Sequence, residues 1–379
     1  MNKMIYLDYA AATPVSEEVM KAMQPYFSQR FFNPSAMYLV ARSVNQDLAA
    51  ARAQVAQVLG ARPSEIIFTA GGTEANNLAI HGIMQAHPKA NVVVGAVEHE
   101  SVLKPANQYQ YKLAPVQQDG LVDLKKLDSL IDNETVLVSV MYANNEIGTV
   151  EPIRQVAQMI ETKLQARQKT GNPLPLYLHT DACQAANYLD LHVSRLGVDL
   201  MTLNGGKIYG PKQSGALYVK AGVVLKPQIL GGGQELGRRS GTENMAGNIG
   251  FATALTQAQD MRANESKRLY ALQQLFFDLV NKHFPQAVIN GSRTQRLPNN
   301  VHITFPGYDN ERLMMQLDEL GILVATGSAC SANSDEPSHV LAAIGLDNKA
   351  AQASLRFTLG RDTTETNIQT TIKALTTVV

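Results

Sequence analysis

The chain has 379 residues, more than one ordinary hydrophobic core accommodates, so two domains, or one large domain with an appendage, are expected. Its 33 basic and 33 acidic side chains cancel and form no basic block, which argues against nucleic acid and anionic membrane surfaces as partners. No apolar run is long enough to span a bilayer, the N-terminal one is too short for a signal peptide, and two cysteines, Cys183 and Cys330, make neither a disulfide framework nor a zinc cluster. A cytoplasmic protein without a structural metal is expected.

In chain order, Ile5 to Tyr9 reads as a brief strand, and Ser16-Glu17-Glu18 opens an amphipathic helix with an N-cap and first-turn acids. Asn33-Pro34 is a turn, and the Ala-rich stretch after it is a long helix stopped by Gly60. Glu65 to Thr69 is a strand, and Ala70-Gly71-Gly72-Thr73-Glu74 leads from it into a helix near Thr73. A Gly-Gly turn is usually only a turn. After a strand and before a helix, it is also an anion site made of unpaired amides, with the Thr73 hydroxyl as a further donor.

The strand-helix alternation continues with NVVVGAV, ending at Glu98-His99, then YKLAPVQ, then TVLVSVMYA, ending at Asn144-Asn145. LYLHT leads to Asp181, and VDLMTL leads to Asn204, Gly205, Gly206 and Lys207. Ligands of parallel α/β sheets bind beyond the carboxyl ends of the strands, so these ends should face one pocket. An aspartate and a lysine there are the pair that pyridoxal phosphate requires, although a structural ion pair is the commoner use of any one such pair. His99 suits stacking on a ring and moving protons, or merely a helix N-terminus. The amides of Asn145 and Gln184 suit hydrogen bonds to a phenolic oxygen.

SGALYVK is a further strand, and LGGGQELGRRSGTEN is a glycine-rich loop. Its Arg238, Arg239, Ser240 and Thr242 suit a phosphate or a subunit boundary as well as solvent. From about Asn248 the pattern changes to long helices, then VHITF, a helix from Asn310 and the strand GILVAT. This predicts an α/β protein: a large domain of mostly parallel sheet flanked by helices (13–250), plus a smaller α+β domain (1–12 and 251–379). In TGSACSANSDEPS, Cys330 has small polar neighbours and reads as a reagent, whereas Cys183 in DACQA reads as buried filler. Arg356 in SLRFTLGR suits either a bidentate clamp on a carboxylate or a salt bridge between domains.

The strings YLDYAAATP, TAGGTEANNLAI, VEHESVL, NNEIGTVEPI, HTDACQA, KIYGPKQSGALYV, GGGQELGRRSGT, ATGSACSANSDEPSHVL and SLRFTLGR resemble, in order and over nearly the whole chain, the NifS/IscS-type cysteine desulfurases. These are class V aminotransferases with the fold type I architecture of pyridoxal phosphate enzymes. The resemblance implies Lys207 as the Schiff-base lysine, Asp181 as the partner of the pyridine nitrogen, and His99 as the stacking acid/base. It implies Asn145 and Gln184 on the phenolic oxygen, Gly72 and Thr73 on the phosphate with Thr242 of the other subunit of a homodimer, and Asn33 and Arg356 on the substrate carboxylate. Cys330 would attack the sulfur of L-cysteine, release alanine and pass a persulfide sulfur to an acceptor protein.

The chain departs from the family pattern beside the lysine, where a histidine normally precedes it and a serine stands three before. Here Gly206 and Asn204 occupy those positions. Losing one hydrogen bond to a charged group costs roughly 1.5–3 kcal/mol, so weaker or rearranged phosphate binding is expected. A histidine shortly after the Asn-Pro turn is also absent, and the tail beyond the last helix is short. Either an iron-sulfur scaffold or a tRNA-thiolation protein therefore remains as acceptor. Competing readings are a class V aminotransferase or selenocysteine lyase, and a non-catalytic dimeric scaffold with a decayed cofactor site.

Overall fold

Short continuous apolar runs, rather than alternating ones, belong to strands covered on both faces, and IIFT, NVVVG and TVLVS are buried at every position. In the computed structural model, which describes residues 4–327 and 338–379, these runs build the centre of the molecule. Among the described residues the strands are β1 (Ile5–Tyr6), β2 (Ile66–Thr69), β3 (Asn91–Gly95), β4 (Tyr111–Ala114), β5 (Thr135–Ser139), β6 (Tyr177–Asp181), β7 (Leu200–Asn204), β8 (Gly215–Val219), β9 (Val288–Ile289), β10 (Asn300–Thr304), β11 (Ile322–Leu323) and β12 (Ser354–Thr358). Cys330 lies outside the described residues.

Seven strands form one sheet in the order β2-β8-β7-β6-β5-β3-β4, with β8 antiparallel to both neighbours and the remaining pairs parallel. This is the mostly parallel, helix-flanked sheet expected from the alternation of elements. Two strands stop sooner than their apolar runs do. β5 ends at Ser139 although VMYA continues, because Val140 and Tyr142 keep donating to His179 and Asp181 outside regular register. β3 ends at Gly95, and a turn then carries the chain to His99.

The flanking helices follow the apolar period. Leu39–Leu59 buries Ala41, Val44, Leu48, Ala51, Val55 and Leu59, the i, i+3/i+4 stripe of a helix lying on a sheet, and stops at Gly60 in the left-handed conformation (φ 64°). Ser16 caps Glu17–Met23 as its sequence predicts. The segment after residue 244 is one uninterrupted helix, Met245–His283, which runs through the position where the sequence reading divides the domains. Its first half packs on Leu39–Leu59 and Glu17–Met23, and its second half reaches β10. One apolar cluster is continuous from Phe68 through Phe251 to Phe357, each such side chain contributing about 1.5–3 kcal/mol on burial.

The C-terminal strands make an antiparallel sheet, β12-β10-β9, while β1 pairs in parallel with β11. Asp8 bridges to Thr358, so the first residues of the chain are stitched to its last strand before crossing to the large sheet. Among the described residues no helix is long and apolar enough to cross a membrane.

Candidate active site

The carboxyl ends of β6 and β7 deliver Asp181 and Lys207 to one cleft of about 200 Å³. β6 ends on Asp181, which is 6% exposed. Its Oδ1 accepts from the Cys183 N–H at 2.9 Å and its Oδ2 from Asn76 Nδ2 at 2.7 Å, so donors alone are recorded on both oxygens, as a carboxylate requires. β7 ends on Asn204, whose Oδ1 accepts from the Gly206 N–H at 3.0 Å and caps the single turn Gly205–Lys207. The Lys207 Nζ donates to the carbonyls of Ala10 and Ala11 at 2.8 and 2.7 Å, and Gln184 Nε2 donates to Ala10 at 3.0 Å. The N-terminal loop therefore closes one wall of the cleft.

His99, Asn145, Gln184, Gly72, Thr73, Asn204 and Arg356 line the same cleft as Asp181 and Lys207. His99 is at once the N-cap of Glu100–Ala106, accepting from the Ser101 N–H at 3.1 Å, and a wall of the cleft. The helix-start reading of this histidine is thus met, and its ring also lines the cleft. Arg356, on β12, donates from Nη2 to Asp8 at 2.7 Å and from Nη1 to the Asn145 carbonyl at 3.1 Å, while its buried Nε has no hydrogen-bond partner. It is a salt bridge and a cleft residue together.

Three predicted residues lie elsewhere. Gly206 lines an adjoining cleft, with Gly72, Thr73, Asn204, Lys207, Lys212 and Gln213. Thr242 lines a separate depression with Glu235 and Arg239 that shares Ala70 and Gln213 with the adjoining cleft. Asn33 is exposed, and its side chain accepts from the Ser35 N–H at 2.9 Å, the turn chemistry of an Asn-Pro corner. In the glycine-rich loop, Arg239 is held by Glu74 at 2.8 Å, next to the Gly72–Thr73 helix start.

The structure adds residues that the sequence reading passed over. Cys183, read as filler, is buried but lines the cleft, and burial, reinforced by Asp181, pushes its thiol well above the ordinary range. A Cβ at Gly72 would stand 2.8 Å from its sulfur, so only glycine lets the helix Gly72–Ala86 begin this close to β6. Asn76 and Ser101 also line the cleft. Lys212 stands beside Gly206, its Nζ donating to the Thr13 carbonyl at 2.7 Å. Gln213 carries φ 57°, a left-handed conformation costly for a side chain of its type, at the seam between the two outer clefts. Behind Asp181, fully buried His179 is held between Ser139 and Thr202, and burial lowers its pKa to about 4. Burial also raises Glu98 well above the carboxylate range, with the nearby Asp181 charge adding to the effect.

The described residues flanking 328–337 sit beside this cleft. Ala325 pairs with Arg356 through two backbone hydrogen bonds of 3.1 and 2.7 Å. On the other side, Ser338 donates to Glu146 at 2.5 Å, and His339 Nε2 lies 2.9 Å from the Glu98 carbonyl.

The pattern of the family described as "Aminotransferase class-V" matches residues 5–370. The chain is 39% identical to the cysteine desulfurase IscS of Dictyoglomus turgidum, across 100% of this chain and 95% of that protein. It is 38% identical to the IscS of Clostridium botulinum, with the same coverage. Among solved structures, a NifS-like protein superposes with a TM-score of 0.90 at 30% identity over 99% of both chains. The structure described as SspA in complex with cysteine gives 0.80 at 33% identity, over 94% of this chain and 98% of that one. The chain belongs to the class-V aminotransferase family, and within it to the cysteine desulfurases.

Proposed function

We propose that this chain is a pyridoxal phosphate-dependent cysteine desulfurase, which converts L-cysteine to L-alanine and takes the sulfur onto Cys330 for an acceptor protein. The observation that carries the reading is the meeting of the Asp181 carboxylate and the Lys207 amine in one cleft, with His99, Asn145, Gln184 and Arg356 around them. The family is pyridoxal phosphate-dependent. The residues present fit that group: an acceptor-only carboxylate for a protonated ring nitrogen, an amine for the aldehyde, and a helix start kept bare by Gly72 for the phosphate.

When bound, the cofactor supplies an electron sink for the charge left as the substrate loses its α-proton. Lys207 is its covalent anchor and lies within the cleft as a base for that proton, and Asp181 keeps the ring nitrogen protonated. Asn145 and Gln184 offer amides to the phenolic oxygen. Gly72, Thr73 and Asn204 hold the phosphate, and Lys212 supplies the positive charge that Gly206 lacks. Arg356, oriented by Asp8, receives the substrate carboxylate. The Cys330 thiolate then attacks the substrate sulfur. An S–S bond forms, the substrate Cβ–S bond breaks with its electron pair left on carbon, and the carbon fragment takes up one proton at Cβ and one at Cα and leaves as alanine.

The exposed apolar run Phe27, Phe31, Met37 and Leu39, the last two 88% and 79% exposed, supports a homodimer, in which Thr242 of one subunit completes the phosphate site of the other. The division into a domain of residues 13–250 and a second of 1–12 and 251–379 is supported by the pairing of β1 with β11. We read the protein as cytoplasmic, delivering sulfur to an iron-sulfur scaffold or to tRNA thiolation.

Incubating the purified protein with L-cysteine and a reductant tests the reading. Alanine and sulfide are expected in equal amounts, and Cys330→Ala should abolish sulfide release. Sulfide release unchanged in that variant would reject the persulfide route and favour an aminotransferase or lyase. A protein that stays colourless with added pyridoxal phosphate would favour the non-catalytic scaffold.

A further inference from the structure

The sequence gives the His99 imidazole and the Asp181 carboxylate separate tasks, yet the fold joins them through two other side chains. Asn76 lies on the helix Gly72–Ala86 and is 1% exposed. Its Nδ2 donates to Asp181 Oδ2 at 2.7 Å and to Ser101 Oγ at 2.8 Å. Ser101 Oγ lies 2.8 Å from His99 Nδ1, and the Ser101 backbone N–H reaches the same nitrogen at 3.1 Å. All four residues line the cleft.

The chemistry of the donors decides where the protons are. A backbone N–H can only donate, so His99 Nδ1 must present its lone pair to Ser101. An ionised carboxylate can only accept, so the Asn76 amide must turn its nitrogen, and not its oxygen, toward Asp181. The second amide proton then goes to Ser101 Oγ, and the hydroxyl proton is left to point at Nδ1. The hydrogen bonds thus run outward from Asn76 in both directions, toward Asp181 on one side and through Ser101 to His99 on the other.

The orientation has a visible cost. Asn76 Oδ1 is buried with no hydrogen-bond partner among the described residues. Turning the amide over would set its oxygen against the Asp181 carboxylate and leave its N–H groups in the unpartnered place, so the unpaired acceptor follows from the direction of its donors. On His99, a proton at Nδ1 would meet the Ser101 amide proton head on and would break the cap of the helix Glu100–Ala106. The ring proton therefore resides on Nε2.

We propose that Asn76 and Ser101 are positioning residues that hold His99 with its proton on Nε2 while keeping Asp181 an acceptor-only carboxylate. His99 then meets the reacting groups with an Nε2–H hydrogen-bond donor rather than with a lone pair that could act as a base. The proposal rests on the desulfurase reading for its reaction, but not for its tautomer.

Ring-nitrogen resonances of 15N-histidine-labelled protein test it, with His99→Gln assigning the signals among the eight histidines. In the protein without added cofactor and in the loaded protein, Nδ1 is expected to be unprotonated and Nε2 protonated. Asn76→Leu, which does not touch His99, is expected to shift the His99 Nδ1 resonance and the visible band of the bound cofactor. It should lower kcat on the order of tenfold, about what one well-placed hydrogen bond contributes, with little change in KM. Ser101→Ala serves as the second variant should Asn76→Leu fail to fold. A proton on Nδ1 in the unaltered protein, or an unmoved His99 signal in a folded Asn76→Leu protein, would overturn the proposal. Failure to bind pyridoxal phosphate would instead reject the desulfurase reading and leave the tautomer result standing.

Discussion

The two ends of the cleft are built in opposite ways. Around Asp181 every donor is fixed by a buried neighbour: Asn76 on one oxygen, the Cys183 amide on the other, and His179 locked between Ser139 and Thr202 behind them. Around Gly206 the lining is open, formed by glycines, the capped Asn204, a long lysine and a glutamine in a left-handed conformation. The electronic end is set by geometry, and the anchoring end relies on backbone amides and a movable charge. Such a division tolerates change at the anchor far better than at the ring, and the two departures beside Lys207, Gly206 and Asn204, fall at the anchor.

The harshest test of this contrast is Asp181→Asn. It removes the charge that pairs with the ring nitrogen and turns an acceptor into a group that clashes with the Asn76 donor, so turnover should fall by about 10²–10⁴-fold while the protein still takes up cofactor. Steady-state kinetics with an absorption spectrum checks both halves of that statement. At the anchor, Lys212→Gln should weaken pyridoxal phosphate binding by roughly ten- to a hundredfold, the equivalent of one hydrogen bond to a charged group, measured by fluorescence titration of cofactor-free protein. Binding unchanged in that variant would assign the anchoring charge elsewhere.

A gentler and opposite test is Gly206→His. A Cβ there meets nothing closer than Asn204 Oδ1 at 3.5 Å and Lys212 Cγ at 3.6 Å, so a side chain is accommodated. The same titration should show tighter binding, by at most about tenfold for one added contact. The smallest effect concerns the pH dependence of stability. Burial raises the Glu151 carboxyl to about 8, so between its unfolded value near 4.5 and about pH 8 the native state binds the extra proton. Stability from this group is therefore present at low pH and is lost as pH rises through that window. Glu151→Gln should flatten that part of the decline in thermal melts, and an unchanged slope would assign it to other groups.

How much of this was legible beforehand depended on what a residue touches. Asp181 and Lys207 announce themselves because one apolar run ends at the aspartate and another a few residues ahead of the lysine, and strand ends in a parallel sheet converge. Asn76 could not be read that way. It sits within the helix in TEANNLAI, where nothing distinguishes it from its half-buried neighbour Asn77, and its partner Asp181 is 105 positions away. Cys183 is buried as read, but its place in the cleft lining was hidden for a related reason, because burial and lining coincide at a strand-to-helix junction that a pattern of apolar letters cannot resolve. The stops at Gly95 and Ser139 were invisible because hydrophobicity continues past them while the hydrogen-bond register does not. Arg356 admitted two readings; the fold shows the salt bridge, to Asp8, and also places the residue in the lining of the cleft.

The opening loop has a practical bearing on how the protein is produced. Asp8 holds Arg356, the Ala10 and Ala11 carbonyls receive the Lys207 amine, and Thr13 accepts from the Tyr209 amide and from Lys212 through its carbonyl. Translation begun by mistake at Met20, or a protease cut just ahead of it, would strip these contacts together. Such a shortened product would be recognised by its lost pigment sooner than by any change in its size on a gel.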